Sequence, residues 1–436
     1  MTLKVLELFG GIGACTAAMK RLGIDFEVVD YVEIDKHAVA SYNAINGTNF
    51  TPQDVTKWDK DIKVDFIMHG SPCQDFSLAG VQKGGDKGSG TRSSLMYETV
   101  RIVEKLRPKY VCWENVANLL SEKHFHNFAN YINTLAELGY SSAYKVLNAK
   151  NYGIPQNRER VFTISVLDGA SIDLFGHELD FHWPQPFPLE KRLKDLLEDN
   201  VSKKFYIPEK MLNYFMANAP KQIDDENDTE RVLQIGNAIG TANRDNPQRG
   251  RVYEPQGIAP ALNTMQGGNL QPFVIGGIGE KLSNKGSQWY QQNRVYDSRS
   301  VALCVDGSGI GTNYAIPIKN ATEQGYLLAE EGDGVDISTR MEHHRGTVQK
   351  GMTQTLTTAG GAERGVVIND LRIRKLTPRE CWRLMGRTDD DFEKAEKVCS
   401  NSQLYKQAGN SIVVDVLVYL FDELFRQYPT ERNENG

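Results

Sequence analysis

Short apolar runs alternate with amphipathic stretches over the first 166 or so residues. The runs are "KVLELFG" (4–10), "FEVVDYVEI" (26–34), "VDFIMHG" (64–70), "KYVCWENV" (109–116), "YKVLNAK" (144–150) and "RVFTISV" (160–166). Each is short and rich in β-branched and aromatic residues, as a strand requires, whereas "RSSLMYETVRIVEKL" (92–106) repeats its apolar positions at helical spacing. This rhythm predicts an α/β fold with a doubly wound, mostly parallel sheet, whose functional residues gather at the carboxyl ends of the strands.

The rhythm breaks at "WPQPFPLE", with prolines at 184, 186 and 188, which places a domain boundary near 185. Beyond it the chain is rich in Gly, Asn, Gln, Thr and Arg, and a degenerate repeat emerges. "RVYEPQGIAPALNTMQGGNLQPFVI" (251–275), "RVYDSRSVALCVDGSG" (294–309) and "GTVQKGMTQTLTTAGGAERGVVI" (346–368) are its copies. The first and third align Leu262 with Leu356 and Thr264 with Thr358. Repeated strand and turn modules predict a second, smaller β-rich domain over 186–370. A basic stretch, "RIRKLTPRECWRLMG" (372–386), reads as helical within a hinge over 371–399. The chain then closes with "YKQAGNSIVVDVLVYLFDELF" (405–425), a Gly-Asn turn feeding an apolar helix. That helix is expected to return to the first domain, so that 400–436 completes 1–185.

The chain has 436 residues, 40% of them hydrophobic and 24% charged, enough for two domains with a substantial core. Its apolar runs fall short of the ~18 residues a membrane helix needs, and "MTLKVLEL" lacks the regions of a signal peptide. A cytoplasmic protein with no membrane association is expected. The six cysteines (15, 73, 112, 304, 381, 399) include no CxxC pair and no histidine at zinc-ligand spacing, which argues against a disulfide framework and against a metal. The net charge of −6 is no guide to nucleic acid, because binding needs only a local patch. Residues 231–320 carry nine basic against five acidic residues. Ordinary surface variation would also produce that asymmetry.

Candidate chemistry begins at "LFGGIGACTAAM" (8–19), where a strand ends in glycines that lead into a helix. With an acid at the end of the second strand, Glu33, this is the generic pattern of an adenosine cofactor. The glycine spacing supplies no third glycine for a pyrophosphate, which favours S-adenosylmethionine over a nicotinamide dinucleotide. Phe9 offers an aromatic face to adenine, or serves only as core. In "GSPCQDFSLAG" (70–80), Cys73 follows a proline in a polar loop, a poor place for core filler and a good one for a nucleophile. Glu114 ends the next strand, and "QNRERVF" (156–162) brings Arg158 and Arg160 to the entry of another. A thiol, a carboxylic acid and a guanidinium converging on one sheet edge make a constellation where each alone would be noise.

In this order, Pro-Cys-Gln, Glu-Asn-Val and Gln-x-Arg-x-Arg make the sequence resemble the bacterial and phage DNA (cytosine-5) methyltransferases. The likeness also takes in "FGGIG", "EID", "DV" (54–55), "RKLTPRECWRLMG" and "QAGNS". It implies the S-adenosylmethionine-dependent methyltransferase fold with a target-recognition domain over 186–370. It implies methyl transfer to C5 of a cytosine flipped out of double-stranded DNA. Cys73 would add to C6, Glu114 would act as acid at N3, Arg160 would hold O2, and Arg158 would assist or serve structure. The implied cofactor set is Phe9, Gly11, Gly13, Glu33, Ile34, Asp54 and Asn410. Ile34 departs from the pattern, since many members carry an aromatic there to stack on adenine. The glycine-rich stretch 79–94, with Lys83, Lys87 and Arg92, resembles a loop that closes on the flipped base. Base or phosphate contacts are expected from Arg244, Arg249, Arg251 and Arg294.

A monomer is expected, with a cognate restriction endonuclease as a candidate partner. Three other readings compete. A tRNA cytosine-5 methyltransferase usually has a shorter insert than the one between "QNRER" and "RKLTPRE". A catalytically silent DNA-binding protein needs neither Cys73 nor Glu114 nor Arg160. A nicotinamide oxidoreductase leaves Pro-Cys-Gln unexplained.

Overall fold

The computed structural model describes residues 2–72, 95–167, 179–206 and 373–429, and within 207–372 residues 232, 234–237, 251–253, 257–262, 273–275, 316–319, 326–329, 334–336, 347–349 and 364–366. The first region contains strands β1 (Leu3–Leu8), β2 (Phe26–Val32), β3 (Phe66–His69), β4 (Tyr110–Val116), β5 (Tyr140–Asn148), β6 (Gln156–Asn157) and β7 (Glu159–Leu167). Helices α1 (Ala14–Leu22), α2 (Lys36–Asn46), α3 (Met96–Leu106) and α4 (Phe125–Glu137) alternate with them. All six expected strands lie in one sheet of order β2-β1-β3-β4-β7-β5. β2, β1, β3 and β4 are parallel, and β7 alone runs antiparallel between β4 and β5.

The side chains of this sheet divide by parity, as a pleated strand demands. Leu3, Val5, Phe66, Met68, Tyr110 and Cys112 enter a core shared with α1 and the C-terminal helix. Leu6, Leu8, Ile67, Val111 and Trp113 face the other way into a core with α3 and α4. A central strand apolar on both faces is buried on both, which is why these runs lack polar alternation.

The C-terminal elements are α5 (Pro378–Arg383), α6 (Asp389–Glu396), α7 (Asn401–Asn410) and α8 (Val414–Gln427). α8 lies on the first sheet, with Phe421 edge-on to Phe66 at 5.3 Å and Phe425 edge-on to Tyr110 at 5.7 Å. Two expectations need correction here. The stretch 372–386 is not one helix: Ile373–Lys375 is a strand, and α5 starts only at Pro378, behind the capping box of Thr377 and Glu380. Its basic character is also partly internal, because Arg374 makes a buried bidentate pair with Glu380 at 2.9 and 2.7 Å. Nor is "GN" at 409–410 a turn that opens a helix, since both residues lie at the end of α7. Leu404, Tyr405 and Ala408 on that helix are core residues, and their packing outweighs the ~1 kcal/mol cost of a helical glycine.

Between the two regions, the described segments are short strands: β8 (Gln234–Asn237), β9 (Arg251–Tyr253), β10 (Ala259–Pro260), β11 (Phe273–Ile275), β12 (Ile316–Lys319), β13 (Tyr326–Ala329), β14 (Gly334–Asp336), β15 (Thr347–Gln349), β16 (Arg364–Val366) and β17 (Ile373–Lys375). They form sheets of order β17-β11-β9-β8, β12-β13 and β15-β14-β16, while β10 pairs with β6. In the first copy of the repeat β9 and β11 pair directly and in parallel; in the third, β15 and β16 flank β14. The sequence repeat is therefore not a repeated pairing. The middle copy lies outside the described residues.

Candidate active site

Parallel packing brings the ends of β1, β2, β3 and β4 to one edge of the sheet, where the antiparallel β7 begins. In register, Leu8 pairs with Val32 and with His69, His69 with Trp113, and Val116 with Arg160. Phe9, Glu33, Gly70, Glu114 and Arg160 consequently border a single edge.

At the β1 end, Phe9 has φ 54° and is followed by Gly11 at φ 55° and Gly13 at φ 76°. Left-handed backbone suits glycine and strains phenylalanine, so the strand tip stores strain at the point where a ligand would meet it. A Cβ on Gly13 would lie 2.6 Å from the Tyr42 ring, and one on Gly10 equally close to Tyr31, whereas Gly11 opens onto free space. The turn thus rests on the stacked rings of Tyr31 and Tyr42, 3.9 Å apart, and presents Gly11 outward. Gly11 N donates to Glu33 Oε2 at 3.0 Å, Tyr31 Oη donates to the Gly11 carbonyl, and Arg387 donates to the Ile12 carbonyl at 2.6 Å. Glu33 also accepts from the Asp35 amide at 2.8 Å, and burial holds its carboxyl above the usual range. Ile34 beside it is 69% exposed, an apolar side chain left free to cover a ring. Asp54 caps a short turn by accepting from Thr56, and Asn410 ends α7 exposed.

At the β3 and β4 ends, Glu114 is buried, and its Oε1 lies 3.1 Å from Arg160 Nε. Burial raises its carboxyl above the ordinary 4.5, against the pull of Arg160 and Arg158 toward ionisation. Gly70 adjoins this carboxyl, since a Cβ there would lie 3.6 Å from Glu114 Oε2, in ordinary contact. The following residues are fastened to β4. Trp113 Nε1 donates to Ser71 Oγ at 2.9 Å, and Asn115 Nδ2 donates to the Ser71 carbonyl at 3.3 Å. His69 anchors the strand end, stacked on Trp113 and bonded to Tyr131 Oη at 2.8 Å. Cys73, which follows Pro72, lies outside the described residues, as do Lys83, Lys87, Arg92, Arg244, Arg249 and Arg294.

Arg158 does not join Glu114 and Arg160 in facing the edge. It is buried, and its guanidinium donates to the carbonyls of Leu262 (2.8 Å), Gly409 (3.0 Å) and Ser411 (2.9 Å). These three carbonyl bonds fit the structural one of the two roles expected of Arg158, although its charge still acts on Glu114. Sequence reasoning also missed Tyr31, Ser71, Trp113 and Gln156, which hold the site from behind. Of these only Ser71 and Gln156 lay within motifs the sequence had already singled out.

Among the described residues there is no group of three or more His, Cys, Asp or Glu arranged to hold a metal ion, and no helix is long and apolar enough to cross a membrane. The chain is similar to known proteins over nearly its whole length. The orphan methyltransferase M.SPRI of Bacillus phage SPR is 33% identical over 482 aligned residues, which cover 99% of each chain. The type II methyltransferase M.HhaI of Haemophilus parahaemolyticus is 27% identical, covering 96% of this chain and 93% of that one. Among solved structures, the Dnmt2 methyltransferase of S. pombe superposes with a TM-score of 0.55 at 15% identity, over 98% of this chain and all of that one, a likeness of fold. The model of the C-5 cytosine-specific DNA methylases matches residues 3–426, a span that takes in every buried residue of both cores. The chain belongs to the C-5 cytosine-specific DNA methylase family.

Proposed function

We propose that Cys73, Glu114 and Arg160 carry out the chemistry of a site-specific DNA methyltransferase on a cytosine flipped out of the duplex. The enzyme transfers a methyl group from S-adenosylmethionine to C5 of cytosine in DNA. The observation that carries the residue assignment is the buried Glu114–Arg160 pair, set against the Gly70–Pro72 segment that leads into Cys73.

C5 of cytosine is too electron-poor to attack a methyl group unaided. The Cys73 thiolate adds to C6, and the C5–C6 π pair becomes available at C5. Glu114, whose carboxyl burial raises above its ordinary value, donates to N3 and accepts the charge that addition would leave there. Arg160 turns to the O2 of the ring. After C5 is methylated, its proton leaves to a base, the electrons of that C–H bond expel the Cys73 sulfur as thiolate, and the N3 proton returns to Glu114, restoring the neutral aromatic ring.

The glycine turn fits the cofactor: Gly11 faces open space, Glu33 offers a carboxylate beside it, and the exposed Ile34 stands where a ring would lie. When bound, S-adenosylmethionine supplies a methyl group made electrophilic by its sulfonium. Phe9 and Ile34 would enclose the adenine, Glu33 would accept from the ribose hydroxyls, and Gly11 and Gly13 would line the methionine end. Asp54 would meet the adenine amino group and Asn410 would close the site. The proposed enzyme acts as a monomer in the cytoplasm.

The DNA sequence is read, in this proposal, by the region 231–370, where the basic excess of 231–320 suits phosphates and the Arg, Asn and Gln of the turns suit base edges. Bisulfite sequencing of DNA from cells expressing the chain tests the reading as a whole. One short motif methylated at C5 is the expected result. Unmodified DNA, or modified RNA in its place, contradicts it.

A further inference from the structure

We propose that Arg158 is a positioning residue that couples the occupancy of DNA to that of the cofactor. The inference rests on the reading of 231–370 as the DNA-reading region and of Asn410 as a cofactor residue. Its geometry is independent of both.

Residues 257–262 are one of the parts of the second region that dock on the first. Ala259 and Pro260 pair in parallel with Gln156 and Asn157, and Ala259 N donates to the Pro155 carbonyl at 2.7 Å. Leu262 lies in the core shared with α1 and α8. From the same short strand, Gln156 Oε1 accepts from Leu262 N at 3.2 Å, while its Nε2 donates to the Leu384 carbonyl at 2.8 Å. Arg158 then takes the Leu262 carbonyl with one nitrogen and the Gly409 and Ser411 carbonyls with another. The Leu262 carbonyl is thereby tied to the strap that carries Asn410, and the Leu262 N–H, through Gln156, to the Leu384 carbonyl.

The strap continues into the catalytic edge. Ile412 packs over Gly70, where an added Cβ would lie 3.5 Å from Ile412 Cδ1 and 3.6 Å from Glu114 Oε2. A displacement of 257–262 on DNA therefore has a rigid, buried route through one guanidinium to the strap and to Gly70. A lysine at 158 presents its three donors from a single nitrogen in place of a planar fork, and so holds the carbonyls on the two sides less firmly. Coupling of this kind is reciprocal, so each ligand must strengthen the other by the same factor.

The test measures the dissociation constant of S-adenosylhomocysteine by titration calorimetry, with and without a duplex carrying the motif found by bisulfite sequencing. In the native chain the duplex should tighten S-adenosylhomocysteine by about fivefold or more. In Arg158→Lys that ratio should fall below about twofold. An undiminished ratio in Arg158→Lys, or a ratio of one in the native chain, overturns the proposal. Should Arg158→Lys fail to fold, hydrogen exchange of the native chain decides. The duplex alone should slow exchange at 409–412 and S-adenosylhomocysteine alone at 258–262, and protection confined to each ligand's own side overturns the proposal. Asn410→Ala probes the underlying reading separately. Unchanged affinity for S-adenosylhomocysteine without DNA would overturn the cofactor role of Asn410, an outcome distinct from an undiminished ratio in Arg158→Lys.

Discussion

Two buried glutamates sit on the central sheet, and their surroundings give them different tasks. Glu114 meets an arginine at the functional edge. Glu7, on β1, faces the α1 side, where Thr16 Oγ1 donates to it and Tyr42 Oη lies 3.3 Å away. Burial pushes the Glu7 carboxyl up from 4.5 to about 7, although its hydrogen bonds and the charge of Arg387 oppose the rise. The unfolded carboxyl is protonated only below about 4.5 and the folded one up to about 7, so folding takes up a proton between those values. The stability Glu7 contributes is complete below 4.5 and lost as the pH climbs through 7. His69 has the opposite sign: burial lowers it from 6.5 to about 3, so its penalty disappears as the pH rises. Comparing Glu7→Gln with the native chain isolates the first effect. From pH 4.5 to 7 the unfolding free energy of the variant, relative to native, should rise by about 3 kcal/mol. Urea titrations across that range check it, and a difference independent of pH would contradict the assignment. Nothing in "KVLELFG" marks Glu7 as buried, because only the tertiary arrangement brings Thr16 and Tyr42 to it. Arg158 was equally opaque, its three carbonyl partners lying 104, 251 and 253 residues away in sequence. Cys73, Glu114 and Arg160 were legible as candidates because their chemistry has few other uses at strand ends.

Among the elements, those that are regular and apolar were legible, and those set by caps and pairing partners were not. The six strands follow from their β-branched runs and helix α8 from its amphipathic stripe, whereas β17 exists because Phe273–Ile275 pairs with it antiparallel. The turn between β1 and α1 shows how local sequence and packing divide the work. Gly11 and Gly13 both need left-handed backbone, which costs an alanine ~1–2 kcal/mol. Only Gly13 also lies against a ring, at 2.6 Å for an added Cβ. Gly13→Ala should therefore lower the melting temperature more than Gly11→Ala, because Tyr42 must move and Tyr42 is stacked on Tyr31. Gly11→Ala should spend its effect on affinity for S-adenosylmethionine, since its Cβ enters the open space. Thermal melts and calorimetric titrations of the two variants check this, and equal losses of stability would count against it.

At the scale of the whole molecule, the boundary inferred near 185 is softer than the proline cluster suggests. Leu193, Ala259, Leu262 and Val274 share a core with α1 and α8, so the second region is rooted in the first at several points. An exchange of 231–370 with the corresponding region of another family member should accordingly retain 257–262 of this chain. Such a chimera should methylate the donor's motif at a rate comparable to the native enzyme's; one that keeps the original motif contradicts the placement of specificity in this region.

The central claim, that Cys73 attacks cytosine while Glu114 protonates it, is met most directly by trapping the adduct. Duplex DNA carrying 5-fluorocytosine at the target position cannot release fluorine from C5 as it releases a proton, so the thioether formed by Cys73 persists after methyl transfer. The account predicts a protein–DNA species on denaturing electrophoresis that requires S-adenosylmethionine and survives heating. It should vanish in Cys73→Ser, because an alkoxide is far less accessible than a thiolate near neutral pH, and form ~10²–10⁴-fold more slowly in Glu114→Gln. No trapped species with an active enzyme, or one whose peptide map places the bond on Cys15, Cys112 or another cysteine, would contradict the account.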